Sequence, residues 1–564
     1  MKILQLDVEK LAYDVLKPEA SVYEETKEKH AEFRDALVMW VCVEKGDTDD
    51  TADAALKDTV SFMEQVGRKK LVVYPFAHLS SDLAEPKEAM RILDHMYKGV
   101  PKNIEASKAP FGWTKKFTIE MKGHPLAEQA KSYDSKGGGK KTYKKAKPTG
   151  INTAIVKKSD WAGLPENDHR TIGEKLDLYS FQEVSPAMVY WHPKGFTIYK
   201  QLVAFLREKE DEYEYEEVST PGLANVALWH MSGHDEHYKE NMFTFESQFG
   251  EIGLKPMNCP STIMIYKSRK WSYRDLPFRT AIFDRLYRSE LSGAVTGLFR
   301  VKELTQDDGH IFVREDQIDK ELDSLLRMVK EIYDTFGLKY APKLSTMPDD
   351  HAGEKAEWDR ATAQLKKALD EHKMKYELKE KEGSFYAPKI DFDIFDSQGR
   401  AWQVATIQLD YQMPKRFKLE YTGEDGKEHT PVMIHRAILG SLERFVGILV
   451  EHYQGKFPTW LAPVQVRVIA ISDQSNEYAH KVYESLRKAH IRAEEDIGGK
   501  TMEYKLRDAI GQKIPYVLVV GKKEVDAGTV AVRTRSGGQK FGVKLDDFVG
   551  KIKVESEKRL ASPN

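Results

Sequence analysis

Residues 278–313 read FRTAIFDRLYRSELSGAVTGLFRVKELTQDDGHIFV. The two ends have the apolar, β-branched character of strands, and the middle, rich in Ser, Gly and Ala, is a loop. Upstream, Tyr199–Leu223 begins as a helical stretch and runs into EYEEVSTPGL, where a strand ends at Pro221. Downstream, Pro431–Tyr453 reads PVMIHRAILGSLERFVGILVEHY, a short strand feeding an amphipathic helix that carries Arg444. A helix with a strand, a strand pair and a strand with a helix, in that order, form the frame of the middle region.

Outward from this frame, the clearest boundary is KSYDSKGGGKKTYKKAKPTG, Lys131 to Gly150. Residues 131–149 hold seven lysines, one acid and three consecutive glycines. Such a stretch buries too little to offset its ordering entropy, so it reads as a flexible linker that could also touch a polyanion. Before it, ALVMWVCV (36–43), KLVVY (70–74) and KFTIEM (116–121) are strand-like. Leu56, Val60, Met63 and Val66 recur at helical spacing, as do Ala89, Ile92, Leu93 and Met96 after Pro86. Strands alternating with helices predict an α/β or α+β unit. At the other end, QVRVIAI (465–471), helical stretches near 476–489 and 502–510, the run YVLVV (516–520) and the hairpin-like VAVRTRSGGQKFGV predict a βαβαβ domain. From Pro463 onward 19 residues are basic and 14 acidic, a local excess that hints at nucleic acid. The predicted domains are 1–130, the linker 131–150, 151–460 and 461–564.

The 564 residues fit three or four domains. The 87 basic and 89 acidic side chains nearly cancel, so net charge names no partner. No apolar run approaches the ~20 residues that span a bilayer, and MKILQLDVEK turns acidic too soon for a secretory signal. Two cysteines, Cys42 and Cys259, exclude a disulfide framework and point to a reducing, cytoplasmic setting without membrane contact.

The three framing segments resemble, in order, the three signature motifs of class II aminoacyl-tRNA synthetases. LKPMNCP, LTQDDGHIF, GSFYAPKIDF, WQVATIQLD and PVMIHRAILGSLERF resemble threonyl-tRNA synthetases in particular, and the likeness covers residues 159–564. It implies an antiparallel-sheet catalytic core and activation of L-threonine with ATP and Mg2+, followed by transfer to tRNA(Thr), by a homodimer. In these roles Arg288 holds the α-phosphate, Glu290 the adenine side or the threonine amine, and Arg300 and Arg444 bracket the other phosphates. Arginine suits this because its charge is permanent and its fork matches phosphate oxygens.

Cys259, His310 and His435 lie too far apart for any local zinc-finger spacing. Each alone reads more simply as a buried residue of the core. The resemblance is what makes them zinc ligands, one ion per subunit, with a fourth position open to substrate. It also assigns Asp308 to the threonine hydroxyl, Met257, Tyr386, Gln408 and Ser441 to the pocket, and Gln306 and Gln403 to the adenylate. A zinc that takes both amine and hydroxyl rejects valine, but serine has both groups and lacks only a methyl, worth roughly 1–3 kcal/mol. An editing activity against Ser-tRNA(Thr) follows.

HLSSDL (78–83), APFGWTKKF (109–117) and KGHPLAE (122–128) resemble the editing domain of archaeal-type threonyl-tRNA synthetases, a relative of D-aminoacyl-tRNA deacylases. The likeness implies that His78, Lys115, His124 and Glu128 surround the ester. A tyrosine precedes the lysine in that family, whereas Thr114 stands here. The C-terminal unit resembles the anticodon-binding domain of class II enzymes, which puts Arg507, Glu524 and Arg533 on anticodon bases. Two rivals remain open at this point. One is a class II ligase for serine or proline, although the three ligand residues argue against proline. The other is a catalytically silent paralogue that binds tRNA or structured mRNA.

Overall fold

The computed structural model describes residues 1–80, 83–123, 127–133, 161, 163–233, 241–248, 250–291, 293–396 and 399–560. The chain divides into two compact units, 1–150 and 151–564.

In the first unit a six-stranded sheet is organised around Lys2–Pro18. This 17-residue strand pairs antiparallel with His30–Cys42, Trp113–Met121 and Glu128–Ser132. Lys70–Pro75 and Glu105–Lys108 extend the sheet in parallel from His30–Cys42. The run 36–43 is apolar throughout because both faces are covered. Leu37, Met39 and Val41 pack on the helix side, while Ala36, Val38 and Trp40 enter a second core with Tyr13 and Tyr74. The helices Asp49–Val66 and Pro86–Lys98 cover the first of these cores. Gly67, at φ +69°, closes the first helix, and Pro86 opens the second. Sequence periodicity anticipates both helices but not the central strand. Lys131 and Ser132 belong to a strand rather than to the expected linker; residues 134–150 lie outside the described residues.

The second unit is built on a nine-stranded, largely antiparallel sheet. Its centre is Ala401–Asp410, Val432–Ser441 and Glu303–Val313, flanked by Lys389–Phe395 on one side and Phe278–Ile282 on the other. The helices Pro193–Glu212, Ile318–Phe336, Lys355–Glu371 and Leu442–His452 contribute to the large core on one face. On the other, the helix Cys259–Lys267 packs with Trp271, Phe312, Tyr386 and Met433. The helix expected from Tyr199 starts at Pro193, and the strand after it is only Glu216–Glu217, short of Pro221.

Two neighbouring aspartates in Glu303–Val313 face opposite ways, as strand alternation requires. Asp307 is fully buried and accepts from the amides of Ile438, Leu439 and Gly440 at 2.9–3.1 Å. Gly440 sits at φ +64°, where a Cβ would lie 2.5 Å from the Val404 carbonyl oxygen. Behind the sheet, the buried Arg436 donates to Glu210 Oε1 at 2.7 Å and to the Asp307 carbonyl at 2.9 Å. A Cβ on Gly309 would lie 2.4 Å from Arg436 Nε, so only glycine fits there.

The C-terminal part has the predicted strands and helices and three more elements. Val466–Ala470, Ala493–Asp496 and Tyr516–Val520 are parallel; Val530–Thr534 and Gln539–Val543 complete a five-stranded sheet. The acidic strand Ala493–Asp496 and the helices Lys522–Ala527 and Leu545–Glu557 were not anticipated.

Candidate active site

His310 and His435 occupy directly paired positions on neighbouring antiparallel strands, so both rings rise from one face of the sheet. Their centroids are 5.0 Å apart at 79°. Cys259 opens the helix packed on that face, and one ligand atom from each of the three lies within 4.8 Å of the others. All three residues are buried. His310 Nδ1 is buried without a hydrogen-bond partner among the described residues. His435 Nε2 lies 2.9 Å from Asp410 Oδ2, a pairing that orients the ring as carboxylates do for metal-ligating histidines. Burial pushes His310 well below the ordinary imidazole range, which keeps its lone pair available. Burial also pushes the Cys259 thiol up, a cost that a bound cation would reverse. One thiolate and two imidazoles with an orphaned nitrogen fit a zinc ion.

Around this cluster, Asp308 Oδ2 accepts from Asn258 Nδ2 at 3.0 Å, and its Oδ1 lies 3.8 Å from His310 Nε2. Tyr386 donates to Gln408 Oε1 at 2.7 Å, and Gln408 Nε2 donates to Ser384 Oγ at 2.9 Å. The Tyr386 ring lies 5.3 Å from that of His435. Met257, half-buried, packs against the same core. Ser441 is differently used: it caps the helix Leu442–His452, accepting from Arg444 N and donating to Glu443 Oε2. Glu443, buried and pushed up to about 7 by that burial, also accepts from Thr305 N.

The arginines form a second cluster. Arg288 donates to the Pro256 carbonyl at 3.3 Å, beside the segment that carries Cys259. Arg300 and Glu290 pair at 2.9 Å. Arg444 donates to the carbonyls of Phe299 (2.8 Å) and Gln403 (2.6 Å). Burial, then the charges of Arg288 and Arg300, push Arg444 down to about 10, against the pull of Glu290. Three cations held this close with one acid among them favour an anion. Their spacing of two in YRSE would put Arg288 and Glu290 on one face at a strand end, but both lie beyond the strand. The strand ends at Tyr287, and Glu290 N turns back onto the Arg288 carbonyl at 2.8 Å. Gln403 Nε2 donates to Asp391 Oδ1 at 2.7 Å, while Gln306 pairs with Ser441 across the sheet. Asp307, Asp391, Asp410, Asn258 and Glu443 escape the sequence reading. Each acts by holding another residue, and no spacing rule signals that.

In the first unit a cleft of about 920 Å³ is walled by Val41, Cys42, Leu93 and Phe111 and carries few polar groups, Lys115, Glu19 and Thr114 among them. Lys115 Nζ donates to the Trp113 carbonyl at 3.2 Å and sits 5.1 Å above the Tyr74 ring. Burial pushes this amine down to about 8. Thr114 donates to Glu19 Oε2 at 3.0 Å. Glu128 is exposed on its strand and is not among the residues lining the cleft. His124 and the side chain of His78 lie outside the described residues.

In the C-terminal part Arg507 is exposed on the helix Met502–Gly511 and Arg533 is half-buried on Val530–Thr534. Glu524 accepts from Gly521 N at 3.0 Å, so one of its oxygens closes the first turn of its own helix.

Three family profiles match the chain. They are the tRNA synthetase class II core domain (G, H, P, S and T) over residues 243–453, the Archaea-specific editing domain of threonyl-tRNA synthetase over 1–133, and an anticodon binding domain over 465–555. A threonine–tRNA ligase of Clostridium botulinum (strain Langeland) is 47% identical over 410 residues, 72% of this chain. The match spans 65% of that relative's length. A threonine–tRNA ligase catalytic subunit of Saccharolobus islandicus (strain L.S.2.15) is 49% identical over 398 residues, 70% of this chain and 73% of its own. The solved RNA binding domain of a Cryptosporidium parvum threonyl-tRNA synthetase superposes with a TM-score of 0.68 at 39% identity, over 70% of this chain and 99% of that one.

Proposed function

This chain belongs to the threonine–tRNA ligase family of class II synthetases, and from that membership we propose that it activates L-threonine with ATP and charges tRNA(Thr). Its N-terminal unit hydrolyses mischarged Ser-tRNA(Thr). The observation that carries this reading is the meeting of two selective clusters. The Cys259–His310–His435 set and the Arg288–Arg300–Arg444 set adjoin through Arg288, bonded at Pro256.

In activation, the threonine carboxylate attacks the α-phosphorus of ATP, a P–O bond to that carboxylate forms, and pyrophosphate leaves. Negative charge grows on the α-phosphoryl oxygens, where Arg288 stabilises it more than it stabilises the ground state, while Arg300 and Arg444 bracket the other phosphates. Mg2+ accompanies the nucleotide. Cys259, His310 and His435 would hold one zinc ion per subunit, which supplies Lewis-acid coordination for an amine and a hydroxyl. Asp308 accepts the substrate hydroxyl, and the Tyr386–Gln408–Ser384 chain fixes the pocket wall. Transfer to the tRNA needs no covalent enzyme intermediate, so positioning carries both steps. Lys115, at the cleft of the N-terminal unit, stabilises the oxyanion of ester hydrolysis. The C-terminal part, net basic, reads the anticodon with Arg507 and Arg533. The active form is a homodimer paired through the segment around Pro193–Glu212, and it works in the cytoplasm.

The test is amino-acid-dependent ATP–pyrophosphate exchange with threonine, serine, valine and proline. Threonine should support the fastest exchange, serine a slower one, and valine almost none. Exchange that is best with proline, or none at all, would overturn the reading.

A further inference from the structure

Asp168, His169 and Glu451 are buried, and a ligand atom from each lies within 4.8 Å of the others, like a second metal set. Both ring nitrogens of His169 are nevertheless engaged. Nδ1 lies 2.8 Å from Glu451 Oε1, and Nε2 accepts from Leu298 N at 3.1 Å. That is the neutral ring with its proton on Nδ1, and it has no lone pair left for an ion. Asp168 is also occupied: it caps the helix His169–Lys175 and takes two bonds from the Arg170 guanidinium.

The ring touches the segment that carries Arg300. Gly297 stands at φ +48°, and a Cβ there would lie 2.3 Å from His169 Nε2. Phe299 packs on the imidazole, centroids 4.1 Å apart. Thr296 and Arg300 bridge to each other, N to O at 3.0 Å, closing a tight loop around Leu298. The Phe299 carbonyl accepts from Arg444 Nε at 2.8 Å. Glu451 stands seven residues after Arg444 on the helix Leu442–His452, so both leave the same face of the helix. One helix therefore grips this loop twice, directly through Arg444 and indirectly through Glu451 and His169.

We propose that His169, oriented by Glu451, is a positioning residue that sets the Gly297–Arg300 loop so that Arg300 and Arg444 face the nucleotide phosphates together. The inference rests on the nucleotide-dependent activation proposed above. It assigns His169 no contact with substrate.

The test uses the full chain with His169→Ala and with His169→Gln, which keeps one donor and one acceptor. Threonine-dependent ATP–pyrophosphate exchange gives KM for each substrate, and hydrogen exchange reports the Leu298 amide. In His169→Ala the KM for ATP should rise roughly five- to tenfold, as the loss of one buried hydrogen bond implies, and that for threonine should stay within about twofold. The Leu298 amide should exchange at least about tenfold faster, and His169→Gln should recover most of both effects. Unchanged ATP KM with Leu298 still protected would overturn the proposal, as would equal rises in both KM values. If His169→Ala does not fold, His169→Gln decides. Protection and ATP KM near the parent support the latch, and a raised ATP KM with full protection refutes it. A parent chain without threonine-dependent exchange removes the proposed function, while the hydrogen-exchange comparison still tests the latch itself.

Discussion

The sharpest perturbation available is pH acting on Lys115. Burial holds its amine near 8, more than two units below a free lysine, even though Glu24 and Glu19 pull the other way. At pH 7 about 90% of the chains therefore carry a Lys115 cation, and at pH 9 about 10%. If the cation stabilises the oxyanion of ester hydrolysis, deacylation of Ser-tRNA(Thr) falls about tenfold between those values. The assay is single-turnover deacylation of preformed Ser-tRNA(Thr) by the full chain, with spontaneous hydrolysis subtracted at each pH. Lys115→Arg should keep whatever activity it retains level across the same range, because guanidinium does not lose its proton there. A rate that rises through pH 8 would refute the argument, since it would make the neutral amine the working form. The shift also has a stability side with a defined sign. The unfolded lysine keeps its proton to about 10.4 and the folded one releases it near 8, so the unfolded chain binds more protons in between. Folding stability attributable to Lys115 therefore rises as pH climbs through that window.

Other expectations concern the second unit and the division of labour. The parent chain should retain about one zinc per chain after dialysis, and Cys259→Ala should lose both the metal, by elemental analysis, and threonine activation; full activity in a zinc-free preparation would contradict the assignment. Gly309→Ala should destabilise by about 1–3 kcal/mol, because its Cβ meets an Arg436 guanidinium that Glu210 and Asp307 hold in place. Thermal unfolding should show this as a lowered midpoint, and an unchanged one would show that Arg436 can yield. Removing residues 1–133 should leave threonylation nearly intact and let Ser-tRNA(Thr) accumulate; continued clearance by the shortened chain would put editing elsewhere.

Elements with a clean period were legible in the sequence, and elements whose charges are buried in pairs were not. The helices Asp49–Val66 and Leu442–His452 announce themselves by spacing. Lys2–Pro18 does not, because Asp7, Glu9 and Lys10 interrupt it. Asp7 is buried with its carboxylate bonded to Arg68 at 2.5 Å, a partner 61 residues away. The acidic strand Ala493–Asp496 is hidden because three of its four residues are acids, whose placement depends on distant partners such as Arg467, which holds Glu494. In the site, resemblance named Cys259, His310 and His435, and cross-strand register explains why residues so far apart can meet. Register could not be read in advance for Arg288 and Glu290, which the chain carries past the strand end at Tyr287, nor for Ser441 and Glu524, whose polar atoms serve helix ends.

Asp307 and Asp308 are chemically the same letter written twice, yet exchange of their duties is impossible. One carboxylate is spent on three amides inside the sheet, and the other opens toward Asn258 and His310. Any comparison that slides this strand by a single position still scores an aspartate against an aspartate, while silently swapping a framework residue for one that opens toward Asn258 and His310. Alignments of distant relatives should therefore be anchored at Gly309, whose missing side chain tolerates no such slip. The doubled acid also gives selection two unequal targets. A change at Asp308 removes the acceptor for Asn258 and leaves the amide bonds of the sheet in place, whereas a change at Asp307 breaks those amide bonds first. If Asp308 holds the substrate hydroxyl as proposed, substrate preference can drift through the second aspartate while the first keeps the sheet intact.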